Sequence, residues 1–327
     1  MRVYTQCSNY ASDTCPCVLA ESGHCIVCSM CRGEEFCSCT DTQSFCILQE
    51  LKNSGGKAKD QHHIMKCTVT YETIYDDVTK LIRVRIPDGN IRDFMSIGAF
   101  VFVRVLENTF YDVPISVLYE DIEHDSIELM IQLQGVKTEC FKDLKAGDTV
   151  FLRGPYLNGI QGLQPLSRLR NKKALVICRG IGLFPSLHAI FELKRNNNEV
   201  EIYLDSGTFS KTLIQVAKDL YELDAKEISF TDPEGNISSD LKKVIDDGLD
   251  SDVGLIHFGV SDYLMKKMVG YIESSGKRKV DLSCINNTHM CCGEGICGAC
   301  TRNTDARKIV HLCKEQMDVY QYSKILV

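Results

Sequence analysis

The sequence predicts an antiparallel β-barrel followed by a doubly wound α/β domain, with a cysteine-rich segment at each end. Three observations support this fold class. Short strand-like segments fill residues 64–152, strands alternate with helices from residue 172 onward, and a glycine-rich cysteine motif lies near the C-terminus. We therefore predict four regions, at residues 1–60, 61–170, 171–277 and 278–327.

The N-terminal region contains nine cysteines within residues 1–46. The run Cys25-x2-Cys28-x2-Cys31 matches the start of a bacterial ferredoxin spacing, but Cys37 follows after five residues instead of three. The pattern predicts one or two additional iron–sulfur clusters, with a single structural zinc as the alternative. Metal binding would then supply much of the folding free energy of this segment, and residues 52–60 predict a linker. The candidate ligands are Cys15, Cys17, Cys25, Cys28, Cys31, Cys37, Cys39 and Cys46.

The next region is rich in β-branched and aromatic residues, which favour strands. Pro87-Asp88-Gly89 predicts a turn, and residues 138–145 predict a short helix. Six or so short strands in about 90 residues are typical of a small antiparallel barrel or a sandwich. The predicted strands are 65–71, 79–86, 99–106, 114–118, 126–133 and 148–152.

Alternating strands and helices from residue 172 predict a parallel sheet with helices on both faces. A nucleotide would bind at the carboxyl ends of its strands. The turn Arg179-Gly180-Ile181-Gly182 follows the first strand, where main-chain N–H groups can contact a phosphate. A tight turn with close packing explains the same glycines equally well. The predicted strands are 174–178, 199–204, 227–230 and 254–258, and the helices are 184–194, 211–223, 239–247 and 263–274.

The C-terminal motif is the most specific signal in the sequence. Its cysteines follow C-x4-C-x2-C spacing with a fourth cysteine farther along, as in a plant-type [2Fe–2S] loop. Glycines between them allow the positive φ angles that wrapping a cluster requires. A zinc site, which usually uses paired C-x2-C knuckles, and a ligand-free loop are the alternatives. The predicted ligands are Cys292, Cys297, Cys300 and Cys313, with Gly293, Gly295 and Gly298 between them.

Composition and charge indicate the cellular compartment of the protein and exclude some classes of partner. The chain has 18 cysteines in 327 residues and no signal-peptide-like apolar segment at its start. Together these features predict reduced, metal-binding cysteines in the cytoplasm. The absence of an apolar run of about 18 residues argues against a membrane span. A net charge of −7 argues against a nucleic-acid partner.

The order of barrel, doubly wound sheet and cysteine loop resembles the ferredoxin-NADP reductase-like superfamily. The likeness covers residues 64–327 and is strongest at Gly293–Cys300. It is similar to the electron-transfer subunit of dihydroorotate dehydrogenase B, and to the small subunits of sulfide dehydrogenase and of NADH-dependent reduced ferredoxin:NADP oxidoreductase. The resemblance implies FAD on the barrel, NAD(P) on the sheet and a [2Fe–2S] cluster near the flavin. It also implies a partner oxidoreductase subunit or ferredoxin.

The resemblance assigns roles to individual residues. Pro114 and Ser116 match the flavin motif, in which the hydroxyl group lies near flavin N5. The motif's arginine is replaced by Asp112 or Val113. This replacement predicts a repulsive carboxylate that Lys137, Arg153 or Arg104 would have to offset. The remaining implied contacts are Gly135 and Thr138 for the FAD pyrophosphate or adenosine, Gly154 and Asn158 beside the flavin and nicotinamide pocket, and Gly180 and Gly182 for the nicotinamide nucleotide.

Two departures affect the nicotinamide site. Cys178 and Arg179 stand where the family has glycines, and Phe258 stands where it has a cysteine near the nicotinamide, which predicts added bulk there. Three functions therefore stay open. The chain is an iron–sulfur flavoprotein electron-transfer subunit, a nucleotide-independent iron–sulfur relay or docking subunit, or a zinc-stabilised binding module. The sequence does not name the electron donor, the acceptor or the oligomeric state.

Overall fold

The first part of the chain is a short cysteine-rich segment with little regular structure. The computed structural model describes residues 6–39, 45–207, 211–304 and 308–326, without the side chains of residues 88–90 and 211–213. Two helices occur here, α1 (Val18–Glu21) and α2 (Ile47–Asn53), with a 3-10 turn at Met30–Arg32. The predicted linker packs against this segment, because Glu21 accepts hydrogen bonds from Lys57 Nζ at 3.0 Å and from the Ala58 main-chain N–H at 2.7 Å.

The six predicted strands close into an antiparallel barrel, in the order β1-β2-β5-β4-β3-β6. Inward-pointing Val, Ile and Leu side chains fill its interior, because alternate residues of a strand face the same side. The turn predicted at residues 87–89 begins a longer 3-10 segment, Pro87–Met95. The predicted helix over 138–145 is one turn only, α3 (Val136–Glu139). The strands are β1 (Ile64–Tyr75), β2 (Thr79–Arg85), β3 (Phe100–Arg104), β4 (Val113–Asp121), β5 (Ser126–Gln132) and β6 (Thr149–Tyr156).

The second sheet has six strands in the order β10-β9-β8-β11-β12-β7, and all pairs are parallel except β7 with β12. The central strand β8 is buried on both faces, which explains its continuous apolar run. Ser238 and Ser261 begin α7 and α8 as N-caps. The elements are β7 (Ile160–Gln161), α4 (Leu163–Arg168), β8 (Lys173–Arg179), α5 (Leu183–Arg195), β9 (Glu199–Asp205), α6 (Lys211–Leu220), β10 (Ala225–Glu227), α7 (Ser239–Asp250), β11 (Val253–Gly259), α8 (Asp262–Ser274) and β12 (Asp281–Ile285).

The C-terminal region wraps the predicted cluster loop around the junction of barrel and sheet. After β12 it forms a two-stranded sheet, β13 (Thr301–Asn303) with β14 (Ile309–His311), and ends in α9 (Val319–Ile325). The beginning of the chain pairs with this region, since Ser8 N donates to Lys314 O at 2.9 Å and Gln316 N donates to Gln6 O at 2.8 Å. Both cysteine-rich ends of the protein therefore lie side by side.

Two further features of the fold concern boundaries. Strand β7 lies in the stretch predicted as part of the barrel region, yet it pairs with β12 of the α/β sheet. Within the residues that the structure describes, none of the helices combines the length and apolar character needed to span a membrane.

Candidate functional site

The four predicted cluster cysteines converge. The Cys313 thiol is within hydrogen-bonding reach of Cys292 and Cys300, and Cys297 contacts Cys292. The hydrogen bond from Cys313 lowers the pKa of Cys292 to about 4 and that of Cys300 to about 7. The same contacts raise the pKa of Cys313, and burial raises that of Cys297, so Cys292 and Cys300 are the first of the four to reach the thiolate form that binds iron.

The loop between these cysteines has the geometry that a cluster requires. Gly293, Gly295 and Gly298 have φ angles of 74°, 75° and 78°, in the region that glycine adopts most readily. The main-chain N–H of Glu294 donates to Cys292 Sγ, with an N···S distance of 3.3 Å, so it points at the sulfur of a predicted ligand. Within the part of the chain that the structure describes, no group of three or more His, Cys, Asp or Glu side chains is arranged to hold a metal ion. The sulfurs of the loop contact one another directly.

A buried charge network lies beneath the loop. Lys314 Nζ is 2.9 Å from Glu294 Oε2, and His62 Nδ1 is 2.9 Å from Glu294 Oε1. Burial alone would raise the pKa of Glu294, but the hydrogen bond from His62 and the charge of Lys314 lower it to about 2. The glutamate is therefore a carboxylate that connects the loop to His62, just before β1, and to Lys314, directly after Cys313. The sequence pattern contained no local signal for this network, because His62 and Glu294 are far apart in the chain.

A cavity of about 560 Å³ lies between the barrel, the α/β sheet and the cysteine loop. Pro114 and Ser116 are on its barrel wall, opposite Phe102 and Phe100 of the neighbouring strand. Cys291 and Ala299 of the cysteine loop line the same cavity. The predicted flavin-contact residues and the predicted cluster loop therefore line the same cavity.

The carboxylate that replaces the family arginine does not face this cavity as a bare charge. Asp112 accepts hydrogen bonds from Arg104 Nε at 2.5 Å and from Arg153 Nη2 at 3.1 Å. Burial opposes ionisation, but these two arginines hold the pKa of Asp112 below its ordinary value. The repulsion expected from the sequence is therefore offset inside the protein. Of the three candidate cations, Lys137 lines the cavity.

Other predicted contacts have structural partners. Asn158 is fully buried, where its amide donates to Leu312 O at 2.6 Å and to Glu315 O at 3.0 Å, so it fixes the segment around Cys313. A Cβ on Gly154 would lie 3.2 Å from Phe100 O, which makes this glycine a close contact between β6 and β3. Gly135 has a φ of 105°, and the Thr138 hydroxyl accepts from the Gln134 N–H at 2.9 Å.

Close packing explains part of the turn at residues 179–182, which was predicted to contact the nicotinamide nucleotide. A Cβ on Gly182 would lie 2.1 Å from Gly259 O, so this glycine is required for close packing, whereas Gly180 forms the turn with a φ of 55°. Arg179 Nε lies 3.1 Å from Asp205 Oδ2, which joins the carboxyl ends of β8 and β9. Phe258 packs in the core of the sheet, so the bulk expected at the nicotinamide position is instead buried.

Comparison with known proteins agrees with this geometry. No protein-family model matches the chain. The dihydroorotate dehydrogenase B (NAD(+)) electron transfer subunit of Clostridium acetobutylicum is 27% identical over 259 residues, which cover 77% of this chain and 95% of that protein. The structure of NADH-dependent reduced ferredoxin-NADP oxidoreductase superposes with a TM-score of 0.59 at 16% identity, over 76% of this chain and 86% of that one.

The chain has the ferredoxin reductase-like fold. Another relative in sequence is the sulfhydrogenase 1 subunit gamma of Pyrococcus furiosus. It is 24% identical over 252 residues, covering 73% of this chain and 84% of that protein. Both the fold class and the family resemblance stated from the sequence are therefore confirmed. The assignment of individual residues to the cluster, to FAD and to the nicotinamide nucleotide remains a prediction.

Proposed function

We propose that this chain is an iron–sulfur flavoprotein electron-transfer subunit. It passes electrons between a nicotinamide nucleotide or ferredoxin and a partner oxidoreductase, through FAD and a [2Fe–2S] cluster. The names of its relatives support the proposal, since one is an electron transfer subunit of an NAD(+)-dependent dehydrogenase and another is a subunit of a sulfhydrogenase. A separate catalytic chain would supply the substrate site.

The single observation that carries the proposal is the shared cavity. Ser116 on β4 and Cys291 beside the cluster loop line one space of about 560 Å³. A redox cofactor in this cavity would lie against the cluster loop without intervening protein layers. The flavin supplies a switch between two-electron and one-electron chemistry when it is bound. The chain supplies the position and the surrounding charges.

The residues around the cavity fit a flavin. Phe100 and Met290 give it apolar walls, Ser116 offers a hydroxyl group, and Lys137 contributes a cation where the family arginine is missing. Asn286 and Asn287 add polar groups near the loop, and their amide nitrogens bind the main chain at Asn158 and Val260. Apolar walls with a few placed polar groups are typical of cofactor sites.

A nucleotide-independent relay is the second candidate function. The Arg179–Asp205 ion pair favours it, because Arg179 lies across the ends of the two strands where a dinucleotide would approach. In this version the chain keeps its clusters and exchanges electrons with protein partners only.

One experiment separates the two. The protein is purified anaerobically, its visible spectrum is recorded, and it is titrated with NADH and then NADPH. The first function requires flavin bands near ~450 nm together with iron–sulfur absorption, and bleaching of the flavin by at least one nucleotide. Iron–sulfur absorption without flavin supports the relay. A colourless protein that contains zinc would contradict both functions and support the binding module.

We also propose a cytoplasmic location. Support comes from the cysteines, because buried thiols such as Cys15, Cys25 and Cys28 persist as metal ligands most readily in a reducing compartment. Labelling of intact and opened cells with a membrane-impermeant thiol reagent tests this location.

A further inference from the structure

Eight of the nine cysteines of the N-terminal segment line one of two cavities, and the ninth, Cys31, lines neither. One cavity is nearly closed and is lined by four of them: Cys7, Cys15, Cys17 and Cys25. Its free volume of about 20 Å³ is smaller than an iron–sulfur cluster, so these thiols must move apart when a cluster binds. The other is open, has a volume of about 640 Å³, and is lined by Cys28, Cys37, Cys39 and Cys46. The closed cavity consists entirely of described residues, whereas the open one flanks residues 40–44, which lie outside them.

The closed cavity is mainly apolar apart from its sulfurs. The exposed fractions of Cys15, Cys17 and Cys25 are 7%, 8% and 7%. The other residues that line it are Leu19, Ala20, Ile26, Val27 and Ile47, together with Asn9 and Tyr10. Burial raises the pKa of Cys7 to about 12 and that of Cys15 to about 11, so without a metal these groups are neutral thiols. Buried thiols are also common as ordinary core residues, so burial alone does not identify metal ligands.

Lys314 distinguishes these thiols from ordinary core residues. Its side chain is fully buried, and its ammonium group lies 2.9 Å from Glu294 Oε2 and close enough to Cys17 and Cys7 for its charge to act on them. Glu294 is also engaged by His62, so one carboxylate serves two partners. A buried ammonium group is costly unless opposite charge surrounds it. A thiolate-bound cluster carries net negative charge and would supply it beside Cys7 and Cys17.

The chain path explains why these groups meet. Cys7 forms an antiparallel bridge with Glu315, directly after Lys314 and Cys313. The N-terminal segment thereby brings Cys7 to the back of the C-terminal cysteine loop. Lys314 then lies between the four thiols of the closed cavity and the four cysteines of the C-terminal loop.

We propose that Cys7, Cys15, Cys17 and Cys25 bind a second iron–sulfur cluster, with Lys314 as the cation between the two cysteine sites. Cys7 was not among the ligands predicted from spacing, because it is distant from the cysteine runs. The four cysteines contain none of the C-x2-C pairs that zinc knuckles and ferredoxin runs both use, so the metal content, and not the spacing, distinguishes iron from zinc at this site. The inference adds a ligand set to the proposed function, and metal content is measured independently of that function.

The test compares iron, acid-labile sulfide and zinc per chain, with low-temperature EPR of the reduced protein, in four full-length proteins. These are the wild type, Cys15→Ser/Cys17→Ser, Cys37→Ser/Cys39→Ser and Cys140→Ser. The second double variant is a matched control, because it removes another C-x-C pair, which is exposed and lines the open cavity. Cys140 is an exposed cysteine of the barrel region and controls for the loss of a thiol.

We expect Cys15→Ser/Cys17→Ser to lose one EPR signal with its iron and sulfide, while the signal of the C-terminal loop persists. Cys37→Ser/Cys39→Ser and Cys140→Ser should keep both signals. Unchanged iron in Cys15→Ser/Cys17→Ser would overturn the proposal, as would loss of the same signal in Cys37→Ser/Cys39→Ser, or zinc in place of the additional iron. If the first double variant does not fold, Cys7→Ser gives the same readout from a position outside the C-x-C pair. None of these measurements uses a nicotinamide or a flavin, so failure of the proposed electron transfer would leave the result readable.

Discussion

Arg153 of the barrel donates from Nη1 to the main-chain carbonyl of Cys292 at 2.8 Å. The same guanidinium group binds Asp112 and the Tyr156 hydroxyl. One side chain therefore connects the first predicted cluster ligand to the barrel wall and to the carboxylate that replaces the family arginine. The position of the cluster loop depends on the barrel through this residue.

Replacing Arg153 by alanine should weaken cluster binding. The substitution leaves Asp112 with Arg104 alone and removes the donor to Cys292 O, and an unsatisfied buried group of this kind costs about 1–3 kcal/mol. We expect lower iron and sulfide content and a lower unfolding temperature. Arg83→Ala is the control, because Arg83 pairs with Glu128 in the barrel at 2.6 Å and has no contact of this kind with the loop. Equal cluster content in the two variants would contradict the role of Arg153.

Gly293→Ala should be far more damaging than Gly298→Ala. Both residues have positive φ, so either alanine costs about 1–2 kcal/mol of backbone strain. A Cβ on Gly293 would also lie 2.4 Å from Tyr156 Cε1, whereas the nearest atom to a Cβ on Gly298 is Thr301 Oγ1 at 4.0 Å. Tyr156 is packed on Phe100 and has little room to move. Iron content and thermal unfolding measure the difference, and equal losses would show that strain alone matters.

Acid should destabilise the protein through His257. This imidazole is fully buried, with Nδ1 2.8 Å from Ser283 Oγ and Nε2 3.0 Å from Ser186 Oγ, and burial lowers its pKa to about 3. The unfolded chain binds a proton near its ordinary pKa of about 6.5, so the stability contributed by the neutral form is complete above that pH. It is lost as the pH falls from about 6.5 toward 3, at about 1.4 kcal/mol per pH unit.

The measurement is urea unfolding at several pH values between about 5 and 8, followed by circular dichroism. His257→Gln should show a shallower fall below pH ~6.5 than the wild type, because glutamine has no proton to gain. His124→Gln is the control, since His124 is exposed with its Nδ1 2.7 Å from Asp121. Parallel pH profiles for the wild type and His257→Gln would exclude His257 as the source.

Arg179→Gly should strengthen the binding of NADH. Arg179 pairs with Asp205 at 3.1 Å, and its side chain lies 3.3 Å from the position of a Cβ on Gly207, so it covers the ends of β8 and β9. Its removal frees this crevice, and we expect the Kd for NADH to fall about threefold or more, a change of about 0.7 kcal/mol. Arg195→Gly, at the exposed end of α5, is the control. A weaker NADH affinity in Arg179→Gly would instead make Arg179 a phosphate ligand.

Local patterns in the sequence were sufficient for most of the architecture. The barrel strands and the βα alternation follow from side-chain periodicity, and the cluster loop from cysteine spacing with glycines, all of which are short-range signals. The short β7, the pairing of Cys7 with Glu315 and the His62–Glu294–Lys314 network depend on contacts between residues far apart in sequence. No periodicity encodes such contacts, so the sequence could not predict them.

The surroundings of Asp112 and Phe258 also depend on contacts that the sequence could not predict. Asp112 or Val113 was assigned to the position of the family arginine, but the effect of the Asp112 carboxylate depends on Arg104 and Arg153, which only the folded barrel brings to it. Phe258 was expected at the nicotinamide position because the strand could be located but the direction of its side chain could not. The register of β11 turns that ring into the core instead.

Gln161 in β7 connects the segment that follows the barrel to the α/β sheet and to the C-terminal region. Its amide donates to Glu315 O at 3.0 Å and accepts from Met317 N at 2.9 Å, while its strand pairs with β12. Dissecting the protein at residue 170 would thus strip an edge from the second sheet and expose the unpaired backbone of β12, a ready template for self-association. Fragments made for expression should therefore include both β7 and β12, because a break at residue 170 leaves each of these strands without its partner.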